Sequence, residues 1–283
     1  MKKRDFSRQE RPKRDAPERA GAGRPRSFGR AGGGRFQRDR RPERHDADGP
    51  ALLYGWHTVQ AALQNPQRRF LRLLATENGA RRLHEEGVAL PLEPEIVRPA
   101  IIDARLGPDA VHQGLLAEAE TLPIPAIDEL PAQGIVLVLD QITDPHNVGA
   151  IFRTAAAFAA TAIVTTARHS PEATGVLAKA ASGALEYVPL ATVTNLSRGM
   201  EELREHGFQL IGLDSTGAVD LSTTTLRAPL ALVLGAEGKG LRQKTRENCD
   251  TVARLDLPGR IKSLNVSNAT VLALHIATTK LGL

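Results

Sequence analysis

A chain of 283 residues, 41% hydrophobic and 24% charged, can bury one or two real cores but is too polar to be a membrane protein. No apolar run approaches the roughly 18 residues of a bilayer span, and a single cysteine, Cys249, excludes a disulfide framework or a Cys-based zinc site. The Arg-rich N-terminus lacks the apolar stretch of a secretory signal, so a cytoplasmic location is expected.

The formal net charge of +5 is unevenly spread. Residues 1–50 carry 16 Lys and Arg against 8 Asp and Glu, an excess of +8, while residues 51–283 carry 21 against 24, a net of −3. The first segment has no Leu, Ile or Val, and runs such as Arg30-Ala31-Gly32-Gly33-Gly34-Arg35-Phe36 cannot bury enough apolar surface to offset the entropy of ordering. It reads as a disordered Arg/Gly-rich tail. Its cations and its three Phe (Phe6, Phe28, Phe36) suit a non-specific RNA-binding arm; a solubilising tail fits the charge as well.

At Pro50 the composition changes. Residues 51–121 read as a small α/β module, with a helix over His57–Leu63, a strand over Phe70–Ala75, a helix over Ala80–Glu86 and a strand over Gly114–Ala119. Residues 122–134, with Pro123, Pro125 and Pro131, read as a linker. Beyond it, apolar runs at Ile135–Leu139, Ala162–Thr165, Phe208–Leu213, Leu230–Leu234 and Val252–Leu255 predict buried strands. Ala150–Phe158, Pro171–Ala178, Leu196–Glu205 and Ser267–Lys280 predict helices. That alternation over residues 135–283 predicts an α/β fold, a parallel sheet with helices on both faces. Ligands of such sheets sit at the carboxyl ends of strands, which directs attention to the loops after Leu139, Leu234 and Leu255.

The first loop runs from Asp140 through Asp144-Pro145-His146-Asn147-Val148-Gly149 into a helix that carries Arg153. Asn147 stands where a cap would be, and Arg153, between Phe152 and Ala155, is expensive to bury without an anionic partner. No second His or Cys lies at ligand spacing from His146, so no metal site is expected. The second loop, Leu234-Gly235-Ala236-Glu237-Gly238-Lys239-Gly240-Leu241, fails both nucleotide-loop fingerprints. Its glycines suggest a small organic ligand approached closely by backbone, since a tight turn alone would need fewer. In the third, Arg260 and Lys262 precede Ser263-Leu264-Asn265-Val266-Ser267, whose Ser and Asn are ordinary caps and also potential partners for a hydroxyl.

Together, Asp144 to Ala150 with Arg153-Thr154-Ala155, then Leu234 to Gly238, then Ser263 to Ser267 resemble the three ordered motifs of the SpoU (TrmH) family of RNA ribose 2′-O-methyltransferases. Tyr54-Gly55-x-His57-x-Val59-x-Ala61 and Val111-His112-Gln113-Gly114 resemble the family's substrate-binding domain. Ala181-Ser182-Gly183-Ala184-x-Glu186, Val188-Pro189-Leu190 and Val193-Thr194-Asn195-Leu196 are similar to the branch acting on a guanosine of 23S ribosomal RNA. The resemblance implies a SPOUT-type sheet with a C-terminal trefoil knot, S-adenosyl-L-methionine as cofactor, a homodimer, and 23S ribosomal RNA or a pre-ribosomal particle as partner. On matching positions it implies cofactor contacts from Gly235, Leu255 and Leu264, with Arg153, Asn147, Glu237, Ser263 and Asn265 around the reacting ribose. Transfer RNA as substrate, or a non-catalytic ribosome-assembly role, are the alternatives. Ala159 stands where relatives carry Gly, and Leu255-Asp256-Leu257 replaces their Ile-Pro-Met.

Overall fold

The computed structural model describes residues 50–107, 110–168 and 175–283, so the basic tail lies outside the described residues. The chain first builds β1 (Ala51–Tyr54), α1 (Trp56–Gln64), β2 (Phe70–Ala75), α2 (Glu77–Glu85), β3 (Glu95–Ile96), α3 (Pro99–Leu106) and β4 (Leu115–Ala119). Their sheet has the order β1-β4-β2-β3, with β4 antiparallel to both neighbours and β3 parallel to β2. The predicted strand over Phe70–Ala75 forms residue for residue. The following helix starts three residues earlier than its apolar period suggested, because the Thr76 hydroxyl accepts from the Gly79 N–H and caps it. Short β1 and β3, and α3 with only Ile102 buried, leave too little periodicity to be read in advance.

The segment after β4 is tied down: Ile127 and Leu130 are buried in one core cluster with Leu196, Met200 and Leu203. The second sheet is built from β5 (Ile135–Asp140), α4 (Pro145–Ala157), β6 (Ala162–Thr166), α5 (Gly175–Ala181), β7 (Leu190–Val193), α6 (Leu196–Glu205), β8 (Gln209–Leu213), β9 (Val219–Asp220), β10 (Leu230–Gly235), α7 (Gln243–Glu247), β11 (Thr251–Arg254) and α8 (Val266–Leu281). Its order is β7-β6-β5-β10-β8-β11-β9, with every pairing parallel.

Strand alternation places helices on both faces. Ile135, Leu137 and Leu139 of β5 pack with α4 and α8, whereas Val136 and Val138 pack with α6. Each such side chain, fully buried, contributes about 1.5–3 kcal/mol, and this explains why β5 and β10 are apolar throughout rather than alternating. Strand β7, not read from the sequence, follows directly on Pro189 and buries only Ala191 fully, which leaves little apolar signal. Among the described residues no helix is long and apolar enough to cross a membrane.

Candidate active site

Strands β5, β10, β8 and β11 are parallel neighbours, so the three loops singled out above open on one edge of the sheet. A buried carboxylate closes β5, and another lies just past the end of β8. Asp140 accepts from the Arg242 N–H at 3.0 Å and from its Nε at 2.6 Å. Asp214 accepts from the Thr216 N–H at 2.9 Å, the Thr216 hydroxyl at 2.7 Å and the Leu241 N–H at 3.2 Å, and pairs with Arg246 at 2.8 Å. Burial pushes the Asp214 carboxyl up, but these donors and the guanidinium outweigh it and hold the group below the usual carboxylate range.

The two carboxylates fasten the glycine-rich turn from its C-terminal side, and the turn also fastens itself, the Gly240 N–H donating to the Ala236 carbonyl at 2.8 Å. Close packing inside the turn also accounts for two of its glycines. A Cβ on Gly235 would lie 2.3 Å from the Gly240 carbonyl carbon; Gly240 has φ +65°, and a Cβ there would lie 2.5 Å from Asp214 Oδ2. The turn itself requires Gly235 and Gly240.

The helix after β5 begins at Pro145, not Ala150. Its cap is Asp144, which accepts from the His146 N–H at 3.0 Å; Asn147 is therefore not the cap but a residue of the first turn. Released from capping, its side chain meets the third loop: Asn265 Nδ2 donates to Asn147 Oδ1 at 3.0 Å and to Glu237 Oε2 at 3.3 Å. Asn265 is the cap of α8, its Oδ1 accepting from the N–H (2.9 Å) and hydroxyl (2.6 Å) of Ser267. One amide thus joins residues 147, 237 and 265, one from each loop. Its orientation follows from chemistry, because the cap consumes the oxygen and leaves only the NH₂ for two acceptors.

Arg153 and Ser263 are not drawn into that cluster. Arg153 is exposed on α4, and its side chain makes no hydrogen bond or ion pair among the described residues; the burial cost inferred from its apolar neighbours does not arise, since those neighbours line the opposite side of the helix. Ser263 is exposed as well. Leu255 packs at the margin of the main core, while Leu264 is exposed. Between Gly259 and Leu264 no backbone N–H donates a hydrogen bond among the described residues. Open backbone donors beside partly exposed leucines suit the polar edge and flat apolar face of an adenosine, so the donor set fits S-adenosylmethionine.

Sequence reasoning missed Asp140, Asp214 and Arg242. The available signal was a carboxylate at or just after the end of an apolar strand, where a lone acid signifies a fixed acceptor. It also missed why this chain tolerates its departures. Asp256 donates its N–H to Asp220 Oδ2 at 3.1 Å and pairs with Arg254 at 2.7 Å, bonds that a proline there would not allow in full. Ala159 has φ +50°, a conformation that favours glycine. Burial pushes the Cys249 thiol up to about 12, which removes it as a nucleophile.

Residues 134–275 match the SpoU rRNA Methylase family, and residues 52–125 match the family described as RNA 2′-O ribose methyltransferase substrate binding. The 23S rRNA (guanosine-2′-O-)-methyltransferase RlmB of Pseudomonas putida is 37% identical over 236 residues, 80% of this chain and 94% of that protein. RlmB of Vibrio cholerae is 39% identical over 235 residues, 77% and 92% of the two chains. Among solved structures, the SpoU methyltransferase AviRb from Streptomyces viridochromogenes in complex with AdoMet shares the fold with TM-score 0.70 at 24% identity, covering 82% of this chain and 90% of that one. With two consecutive family matches and relatives of this identity along nearly their whole length, the chain belongs to the SpoU rRNA methylase family.

Proposed function

We propose that this protein transfers a methyl group from S-adenosyl-L-methionine to the ribose 2′-hydroxyl of a guanosine in 23S ribosomal RNA. The observation that carries the reading is the Asn265 amide joining Asn147 and Glu237, because it assembles the three family motifs at one point on the ligand-binding edge of the sheet. The RlmB relatives support the substrate, and the match of residues 52–125 supports an RNA-gripping first module.

When bound, the cofactor supplies a methyl group on a sulfonium sulfur, an electrophile that needs no further activation. Gly235 and Leu255 at the strand ends and Leu264 just before α8 would hold it through backbone groups. Asn147, Glu237, Ser263 and Asn265 orient the hydroxyl: Asn265 binds Glu237 Oε2, leaving Oε1 to accept a hydrogen bond from the ribose. Arg153 cannot serve as a base, since a guanidinium stays protonated in proteins. Exposed and unpaired among the described residues, it is placed to grip the adjacent phosphate and to stabilise negative charge developing on the 2′-oxygen.

The fold reading extends to a trefoil knot. Helix α8 follows β11, near one margin of the sheet, yet packs in the core with α4 and β10, a return path that suits a threaded segment. A homodimer in the cytoplasm completes the proposal; exposed Ile261 and Leu264 in the third loop and Val271 on α8 offer apolar surface for a second copy. The test is incubation of the purified protein with labelled S-adenosylmethionine and, separately, unmodified 23S ribosomal RNA, pre-ribosomal particles and bulk transfer RNA, followed by mapping of ribose methylation. Label at one 23S guanosine is expected. Label in transfer RNA alone would overturn the substrate, and no label in either RNA or in pre-ribosomal particles would overturn the activity.

A further inference from the structure

The two sheets meet through an ion pair that the reaction itself does not use. Arg68, in the loop between α1 and β2, grips Glu186 with two hydrogen bonds, Nη2 to Oε1 at 2.6 Å and Nε to Oε2 at 3.2 Å. Asn65 Nδ2 donates to the same Oε2 at 2.7 Å, and Arg68 Nη1 donates to the Glu120 carbonyl at 2.8 Å, where the chain leaves the first sheet for the second. The side chains of Arg68 and Glu186 are only 5% and 2% exposed, so water does not compete for this contact. Every other ion pair of known exposure among the described residues has at least one partner more than 10% exposed.

The contact around the pair is close. Gly183 has φ +88°, and a Cβ there would lie 2.5 Å from the Ala61 methyl and 3.0 Å from the His57 carbonyl, both on α1. From this seam the packing runs on into the site. Helix α5 presses against α4 where a Cβ on Gly149 would sit 2.3 Å from that of Ala180, and α4 carries both Asn147 and Arg153.

We propose that Arg68, Asn65 and Glu186 form a positioning latch that fixes the RNA-gripping module against the short helical turn Ala184–Glu186 just after α5, and through α5 against α4, so that an RNA held by both modules meets the methyl-acceptor site in register. The latch touches neither substrate nor cofactor; it acts through the helices it clamps. The inference rests on the RNA methyltransferase reading. A pre-set angle between two binding modules lowers the entropic cost of engaging both at once, so its loss weakens capture of a large RNA more than turnover of RNA already bound.

The experiment uses the full chain, unmodified 23S ribosomal RNA, and the smallest fragment of it that the wild type still methylates. For Glu186→Gln and Arg68→Gln, KM for the 23S RNA is expected to rise about tenfold with kcat within about twofold, and the double variant to be no worse than the worse single. On the small fragment the difference from wild type should shrink, and S-adenosylmethionine affinity by calorimetry should stay unchanged. Should Glu186→Gln fail to fold, Arg68→Lys keeps the charge, loses the two-point grip and carries the same expectation at smaller size. Additive effects, a fall in kcat at unchanged KM, or an equal defect on the small fragment would overturn the latch. A wild type that methylates no RNA would instead overturn the activity reading, so the two failures are distinguishable.

Discussion

The turn from Gly235 to Leu241 is hydrogen-bonded across itself and to buried Asp214, with Arg242 just beyond it held by Asp140, whereas Gly259 to Leu264, on the same sheet edge, spends none of its backbone N–H groups within the described residues. The glycine-rich turn is fastened by its own bonds and carries Glu237. The third loop presents open backbone donors, and it is anchored where Lys262 Nζ donates to the Leu257 carbonyl and where Asn265 caps α8. On the proposed reading, one closed and one open wall would let the site be preorganised for the chemistry and still adapt to its ligands. The Asn265 amide is where the two meet.

Breaking that junction gives the largest effect. Asn265→Ala removes the bridge to residues 147 and 237 as well as the cap, and turnover is expected to fall about a hundredfold with a loss near 1 kcal/mol in denaturant unfolding. Arg153→Lys separates chemistry from architecture. Because Arg153 is exposed, stability should stay within about 0.5 kcal/mol, while kcat falls at least about tenfold in a methylation assay. Near-normal turnover with unchanged RNA affinity would refute the proposed phosphate grip and charge stabilisation by the Arg153 guanidinium.

The rigid wall is tested at Asp214. Asp214→Asn weakens the grip on Leu241 and Arg246 and should cost about 1–3 kcal/mol, measured near neutral pH. The folded carboxyl titrates below its unfolded value of about 3.9, so its stabilisation is complete above that value and disappears as pH falls through the lower folded value. The Asn variant should therefore start less stable and lose less on acidification. The open wall is tested by hydrogen exchange: S-adenosylmethionine should slow exchange of the amides of residues 259–264 several-fold and leave residues 235–241 nearly unchanged. The smallest effect is expected at Ala159→Gly, where relief of the positive φ, partly offset by the greater chain entropy of glycine, should raise stability by about 0.5 kcal/mol.

Much of the fold was legible because burial on both faces writes itself into a strand as an unbroken apolar run; Ile135 to Leu139 and Leu230 to Leu234 needed no context. Elements with little buried surface, such as β3 and α7, left no such trace. In the site, the motif order singled out Asn147, Glu237 and Asn265, while the capping role inferred for Asn147 from local chemistry went astray. Asn147 resembled a cap because caps are ordinary uses of Asn, and the true cap lay three residues earlier. For the glycines of the second loop, nothing local reveals that a Cβ on Gly235 would meet Gly240 and one on Gly240 would meet Asp214.

What the amino-acid sequence determined by itself was which long apolar segments become buried strands and which polar residues follow them, since hydrophobic patterning acts over a few neighbouring residues. What only the tertiary structure decided was which of those residues meet. Asn147 and Asn265 stand 118 residues apart in the chain and 3.0 Å apart in space, and Arg68 and Glu186 are likewise 118 apart and 2.6 Å apart. Those pairings depend on strand order and on how helices pack across the sheet, which no local preference encodes.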